Sequence, residues 1–216
     1  MYLVIDTSGD KALVALGDSK GVISFGEWPN GQDLSRKLQP EIDKLLRISS
    51  HKPQTVFCVT GPGSFTSIRI GVASANAMAY AWQVPVVGLT RFEIYESADF
   101  DKPYVILLEN IRDLFYAKIC RDEDCEYFVG ELSKLSEKAA GAAVGGEYLS
   151  SQKEIGENFG QTSFLGDGKV IENKERAEII LRSGERILKE LDPKNFILPV
   201  TPLYINRPNI TKPKKK

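Results

Sequence analysis

Between Gly61 and Thr90 the chain carries a single charged side chain, Arg69. A stretch of that length with so little charge has to be covered, because a large contiguous apolar surface is unfavourable in water. The run Val56-Phe57-Cys58-Val59-Thr60 has the length and residue types of an inner strand, and Gly61-Pro62-Gly63 ends it with a turn. A helix is predicted to follow. From Ile68 to Trp82 nearly every residue is small or apolar, so this helix has no broad polar face. Gly71, Ala75 and Ala79 recur every fourth residue, a spacing that lets a second helix approach closely. Two readings fit this pattern: a central core helix of an α/β domain, or a helix that docks against another protein.

The residues around this segment predict a mixed α/β lobe. Tyr2 to Ile5, Ala12 to Leu16 and Gly21 to Phe25 read as a three-stranded meander, with turn chemistry at Thr7-Ser8-Gly9-Asp10 and Gly17-Asp18-Ser19-Lys20. Leu34, Leu38, Ile42, Leu45 and Leu46 then fall on one helix face, with Asp33 as candidate cap and Pro40 removing one backbone hydrogen bond. Strands at 56–60 and 85–89 complete the lobe, to residue 102. After Lys102-Pro103 the pattern restarts with strands at Tyr104 to Leu108 and Leu114 to Cys120. The later part of the second lobe, taken as 103–207, is irregular until Ala177, Ile180, Leu181, Gly184, Ile187, Leu188 and Leu191, which keep strict helical spacing. Residues 208–216 are expected to be a solvated basic tail, whose lysines could make a weak phosphate contact.

With 216 residues, 42% hydrophobic and 26% charged, the chain can bury a sizeable core, and a net charge of −1 creates no global field toward nucleic acid or membrane. Cys58, Cys120 and Cys125 imply no disulfide framework, and Cys58 reads as a small buried hydrophobe. The first apolar run, Tyr2 to Ile5, is ended by Asp6 and has no basic region before it, so it is not expected to act as a secretory leader; no apolar run is long enough to span a bilayer, and a cytoplasmic location is expected.

The decisive chemical observation is that the chain has one histidine, His51, in what reads as a surface loop. A metal site built on paired histidines is therefore not available to it, and a Ser or Cys triad is not expected because His51 has no evident partner set. The backbone N–H groups around Gly63 and Ser64, at the start of the small-residue helix, could accept an anion, but no lysine follows the glycines as in a phosphate loop.

Gly61-Pro62-Gly63-Ser64-Phe65-Thr66-Ser67-Ile68-Arg69-Ile70-Gly71 resembles the GPGSFTGLRIG signature of the TsaB (YeaZ) family, with Ser67 replacing a glycine. Ile5-Asp6-Thr7-Ser8 resembles its first-strand motif, Gly166-Asp167-Gly168 a later loop, and Pro202-Leu203-Tyr204 its C-terminal element. The family's Asp-Ala-Arg is absent: Glu109-Asn110-Ile111 stands there, with Arg112 one place later. The resemblance implies the actin/Hsp70/sugar-kinase-like fold, an α/β architecture of two lobes with mixed sheets flanked by helices, the second lobe reduced. In that superfamily the first-strand carboxylate and its hairpin meet phosphates and magnesium, which makes Asp6, Thr7 and Ser8 the candidates for a nucleotide contact. Asp6 and Ser8 fit equally well as turn residues that satisfy backbone groups.

The resemblance further implies a non-catalytic subunit that binds and activates TsaD, the threonylcarbamoyltransferase acting on adenosine 37 of tRNA, with TsaE as an ATPase partner and tRNA contacted weakly or indirectly. It implies no cofactor of the chain's own, with ATP or ADP possible at the joint between partners, and a homodimer when the partner is absent. Arg69, Gly71, Ala75, Met78 and Ala79 are the expected contact residues, with Leu38 on the neighbouring helix. The alternative is an autonomous nucleotide-dependent phosphotransferase or ATPase in which Asp6 would be catalytic.

Overall fold

The computed structural model describes residues 1–49, 51–96, 103–109, 114–121, 124–147, 164–165, 173–190 and 199–205. The first sheet is built from β1 (Tyr2–Asp6), β2 (Lys11–Asp18), β3 (Gly21–Pro29), β4 (Thr55–Val59) and β5 (Val86–Leu89), in the order β3-β2-β1-β4-β5. Its first three strands are antiparallel neighbours, whereas β1–β4 and β4–β5 are parallel. Every residue of β4 is buried, as its unbroken apolar run requires of a strand covered on both faces.

Alternation along the strands sends two sets of side chains into two cores. Leu3, Ile5, Val14, Leu16, Val56 and Cys58 meet α1 (Leu34–Leu46) and α2 (Phe65–Trp82) on one face. Val4, Leu13, Ala15, Phe57, Val59 and Val87 meet Ala177, Ile180 and Leu181 of the C-terminal helix on the other. That helix, Asn173–Glu190, is labelled α5 here. Gly184 lets it lie directly on the Phe57 ring, 2.6 Å from where a Cβ would stand. The helix that sequence order assigns to the second lobe therefore returns to cover the first.

The second sheet repeats the first. Its strands are β6 (Tyr104–Glu109), β7 (Phe115–Arg121), β8 (Asp124–Gly130), β9 (Ala143–Glu147) and β10 (Phe164–Leu165), ordered β10-β9-β6-β7-β8. Read from β8, this is the same three antiparallel strands followed by two parallel ones. α4 (Leu132–Lys138), between β8 and β9, takes the place of α1 and packs Leu132 and Leu135 into the core of Val105, Leu107, Phe115, Ala117 and Val144. The duplication is invisible in the sequence because the two lobes share strand order rather than residues.

Between the lobes lies α3 (Arg91–Tyr95), a short helix absent from the sequence reading. Thr90 and Glu93 form a capping box at its start, a Thr-x-x-Glu signature that marks a helix N-terminus. Phe92 is buried against Ile106, Leu108 and Tyr116 of the second sheet, while Ile94 is buried with the first.

Three expectations are corrected. Asp33 precedes α1 but its side chain makes no capping bond. The cysteines imply no disulfide framework in the sequence, yet Cys120 and Cys125 are register partners on β7 and β8 and form a disulfide. Alternation in β8 and the apolar positions of α4 were legible, yet both were read as irregular. Cys58 is buried as expected, and burial, then the nearby Asp6 charge, pushes its thiol well above the usual range.

Candidate functional site

The best-built polar cluster lies where β1 turns into β2. Asp6, Thr7 and Ser8 are all buried. Asp6 Oδ1 accepts from the Ser8 backbone N–H at 2.8 Å and from Ser8 Oγ at 2.7 Å, the geometry of an Asx turn. Asp6 Oδ2 faces Arg176 Nη2 in an ion pair, and the same Nη2 donates to Ser8 Oγ at 3.2 Å. Arg176 stands in the first turns of α5 and is 5% exposed. Asn30 donates through Nδ2 to the carbonyls of Thr7 and Gly9, both at 2.8 Å, closing the hairpin from the far side.

The other flank of this hairpin is the start of α2. Thr7 Oγ1 donates to the Ser67 carbonyl at 2.8 Å. Gly63 lies against the Ser8 carbonyl and Gly71 against the Thr7 side chain, each so closely that a Cβ would overlap it. Ser67 Oγ donates to Ser64 Oγ at 3.2 Å, and Ser64, the exposed residue before the helix, makes no side-chain cap. The hairpin is thus gripped between α5 and α2; Asp6 Oδ1 is hydrogen-bonded to Ser8, while Oδ2 has the Arg176 charge beside it but no hydrogen bond. That arrangement neutralises a buried carboxylate and fixes backbone geometry. Among the described residues no group of three or more His, Cys, Asp or Glu side chains could hold a metal ion. His51 is exposed, with its backbone N–H bonded to Ser49 Oγ at 3.0 Å.

The expected contact residues separate into two groups. Gly71, Ala75, Met78 and Ala79 face inward and are buried with Leu38 in the chain's own core. Arg69 is exposed, its guanidinium 5.3 Å from the Phe65 ring centroid, and Phe65 in turn packs on Tyr204 at 4.8 Å. The small-residue spacing therefore serves the approach of α2 to its own sheet and hairpin. The face that stays open on α2 is a different stripe, Thr66, Arg69, Ala73, Ala77 and Tyr80, with Tyr80 78% exposed. α2 contains no carboxylate anywhere along its length.

Residues 199–205 run beside α2. Asn76 pairs with the Val200 backbone through two bonds, Nδ2 to O at 2.9 Å and N to Oδ1 at 3.0 Å, and the Leu203 N–H donates to the Thr60 carbonyl at 2.8 Å. This is the Pro202-Leu203-Tyr204 element. Gly166-Asp167-Gly168, Asn110 to Arg112 and the tail lie outside the described residues. Arg176 and Asn30 escaped the sequence reading. Arg176 occurs four residues before Ile180, in phase with the apolar stripe of α5, and a charge at an apolar phase was the available signal.

Two lobes of repeated strand order define an α/β protein of the actin/Hsp70-like fold. YeaZ from Pseudomonas aeruginosa superposes with a TM-score of 0.66 at 16% identity, covering 94% of this chain and 99% of that one. A second Pseudomonas aeruginosa structure, described as an uncharacterized protein with similarity to peptidase YEAZ, gives 0.68 at 17%, covering 95% and 99%. In sequence, the chain is 32% identical over 97 residues to the tRNA threonylcarbamoyladenosine biosynthesis protein TsaB of Buchnera aphidicola, and 30% over 94 residues to that of Bacillus subtilis. Those alignments cover 44% and 42% of this chain, and 46% and 41% of the relatives, so the chain spans about half the length of the curated relatives it matches. A family model described as TsaD, tRNA N6-adenosine threonylcarbamoyltransferase, matches residues 31–118. The chain is thus similar to the TsaB (YeaZ) proteins, in fold over nearly its whole length and in sequence over less than half of it.

Proposed function

We propose that this chain is a non-catalytic partner subunit that binds and activates a TsaD-like threonylcarbamoyltransferase, in the pathway that modifies adenosine 37 of tRNA. The observation that carries this reading is the open stripe of α2. Thr66, Arg69, Ala73, Ala77 and Tyr80 form an exposed helix face of mostly small side chains with one cation and no carboxylate. Interface cores are depleted in charge, and small side chains let a partner helix come close. A sister lobe with a similar helix is the natural occupant, and a second copy of the chain is its stand-in when that partner is absent. A TsaE-like ATPase, with ATP or ADP, belongs at the joint of the assembled pair rather than in this chain alone.

The buried cluster supports the non-catalytic part of this reading. An autonomous ATPase or phosphotransferase needs Asp6 facing its phosphates or magnesium, whereas Asp6 is 0% exposed and held by Ser8 and Arg176. The test mixes the purified chain with a TsaD-like protein on a sizing column and assays threonylcarbamoyladenosine with and without this chain. Co-migration and chain-dependent modification are expected. Independent migration of two folded proteins overturns the reading, and ATP turnover by the isolated chain, abolished by Asp6→Ala in a variant that circular dichroism shows to be folded, replaces it with the enzyme reading.

A further inference from the structure

The face of the second sheet that meets α3 is laid out in rungs. Tyr104, Cys120 and Cys125 are register partners across β6, β7 and β8, and the next rung is Ile106, Lys118 and Tyr127. Residues opposite each other across antiparallel strands share a face, so the Cys120–Cys125 disulfide borders the groups that hold α3. Tyr104 OH donates to Glu96 at 2.9 Å and Lys118 Nζ pairs with Glu96 at 2.7 Å, just beyond the end of α3. Tyr127 stacks on Phe92 with ring centroids 5.4 Å apart.

The two sulfurs differ in access. Cys120 is buried, whereas Cys125 is exposed, together with Asp124, Glu126 and Tyr127 along the outer strand. Beyond its ladder to β7, this end of β8 is held by the disulfide, by the Glu126–Lys138 ion pair and by the Tyr127 ring contact. Thiol–disulfide exchange requires that a thiolate reach a sulfur, which the exposure of Cys125 permits. Cys58, fully buried with a raised thiol, is closed to such exchange.

We propose that Cys120 and Cys125 form a reversible thiol–disulfide exchange site that takes small thiols and disulfides of the glutathione class, and that its state sets how firmly α3 is seated between the lobes. Oxidation joins the two Sγ atoms, releases two protons and passes two electrons to the disulfide co-reactant, which leaves as two thiols. Reduction is the reverse. Without the bond, the exposed end of β8 loosens, and Tyr127 loosens with it from Phe92. This holds whether or not the partner reading above is right.

The full chain, equilibrated in graded mixtures of reduced and oxidised glutathione, is trapped with N-ethylmaleimide without denaturant and weighed by mass spectrometry. No adducts in the oxidising mixtures and one, at the exposed Cys125, in the reducing ones are expected, with a second at Cys120 only where its strand has loosened and Cys58 unlabelled throughout. Hydrogen exchange should lose protection at 124–130 and at 91–96 on reduction, and Cys125→Ser should show the reduced pattern in every mixture. The proposal is overturned by no adducts even in excess dithiothreitol, by an adduct at Cys125 in every mixture, or by a reduced state whose protection at 91–96 equals that of the oxidised one. Should Cys125→Ser fail to fold, the unsubstituted chain alone decides among these results.

Discussion

Arg176, near the start of the last helix, forms a buried ion pair with Asp6, at the end of the first strand. This contact ties α5 to the first-strand hairpin of the sheet that α5 covers. It also determines what the first-strand hairpin can do, since the carboxylate there is already neutralised from inside.

Removing one member of such a pair strands a charge in the core. Asp6→Asn and Arg176→Ala are each expected to destabilise the fold by about 3–5 kcal/mol, with a double variant costing less than the sum of the two. Urea unfolding of the four proteins in the cycle measures this. Additive losses would mean that the pair is not coupled.

On α2 the inner and outer faces should respond oppositely. Ala75→Glu places a carboxylate where the native side chain is fully buried, and the protein is expected to be insoluble or unfolded. Ala77→Glu, on the open stripe, should leave circular dichroism and melting temperature near those of the parent while abolishing co-migration with a TsaD-like partner. A folded Ala77→Glu variant that still binds moves the interface elsewhere.

Gly71 has no room for a methyl group beside Thr7. Gly71→Ala is expected to cost about 1–3 kcal/mol by pushing α2 off the hairpin, because overpacked cores relax only partly. Thr7→Ala in the same chain, which removes the hydroxyl oxygen that a Cβ at 71 would overlap, should make the combined loss smaller than the sum of the two single losses in chemical denaturation.

Burial, then the hydrogen bond to Glu96, pushes the Tyr104 hydroxyl up to about 12. The folded state therefore holds this proton at pH values where an unfolded tyrosine has released it. Stability from this group is present below about 10 and is lost as pH rises toward 12. Thermal melts across that window should fall more steeply for the parent chain than for Tyr104→Phe.

The sequence by itself determined most elements of the first lobe, because each rests on a local pattern: the apolar run of β4, the period of α1, the charge-poor helix α2. It also determined the family likeness, through the loop at Gly61 to Gly71, and the absence of histidine chemistry. Which face of α2 is inner was not legible, since a helix apolar nearly all round carries almost no directional signal. Only the tertiary structure decided that Gly71 and Ala75 face the core while Ala73 and Ala77 face out. Nor could any local pattern announce the repeated strand order of the second sheet, the pairing of Cys120 with Cys125, or the partnership of Asp6 with Arg176. Those relationships join residues from separate strands or from opposite ends of the chain, and they exist only once hydrogen bonding and burial have placed the strands side by side.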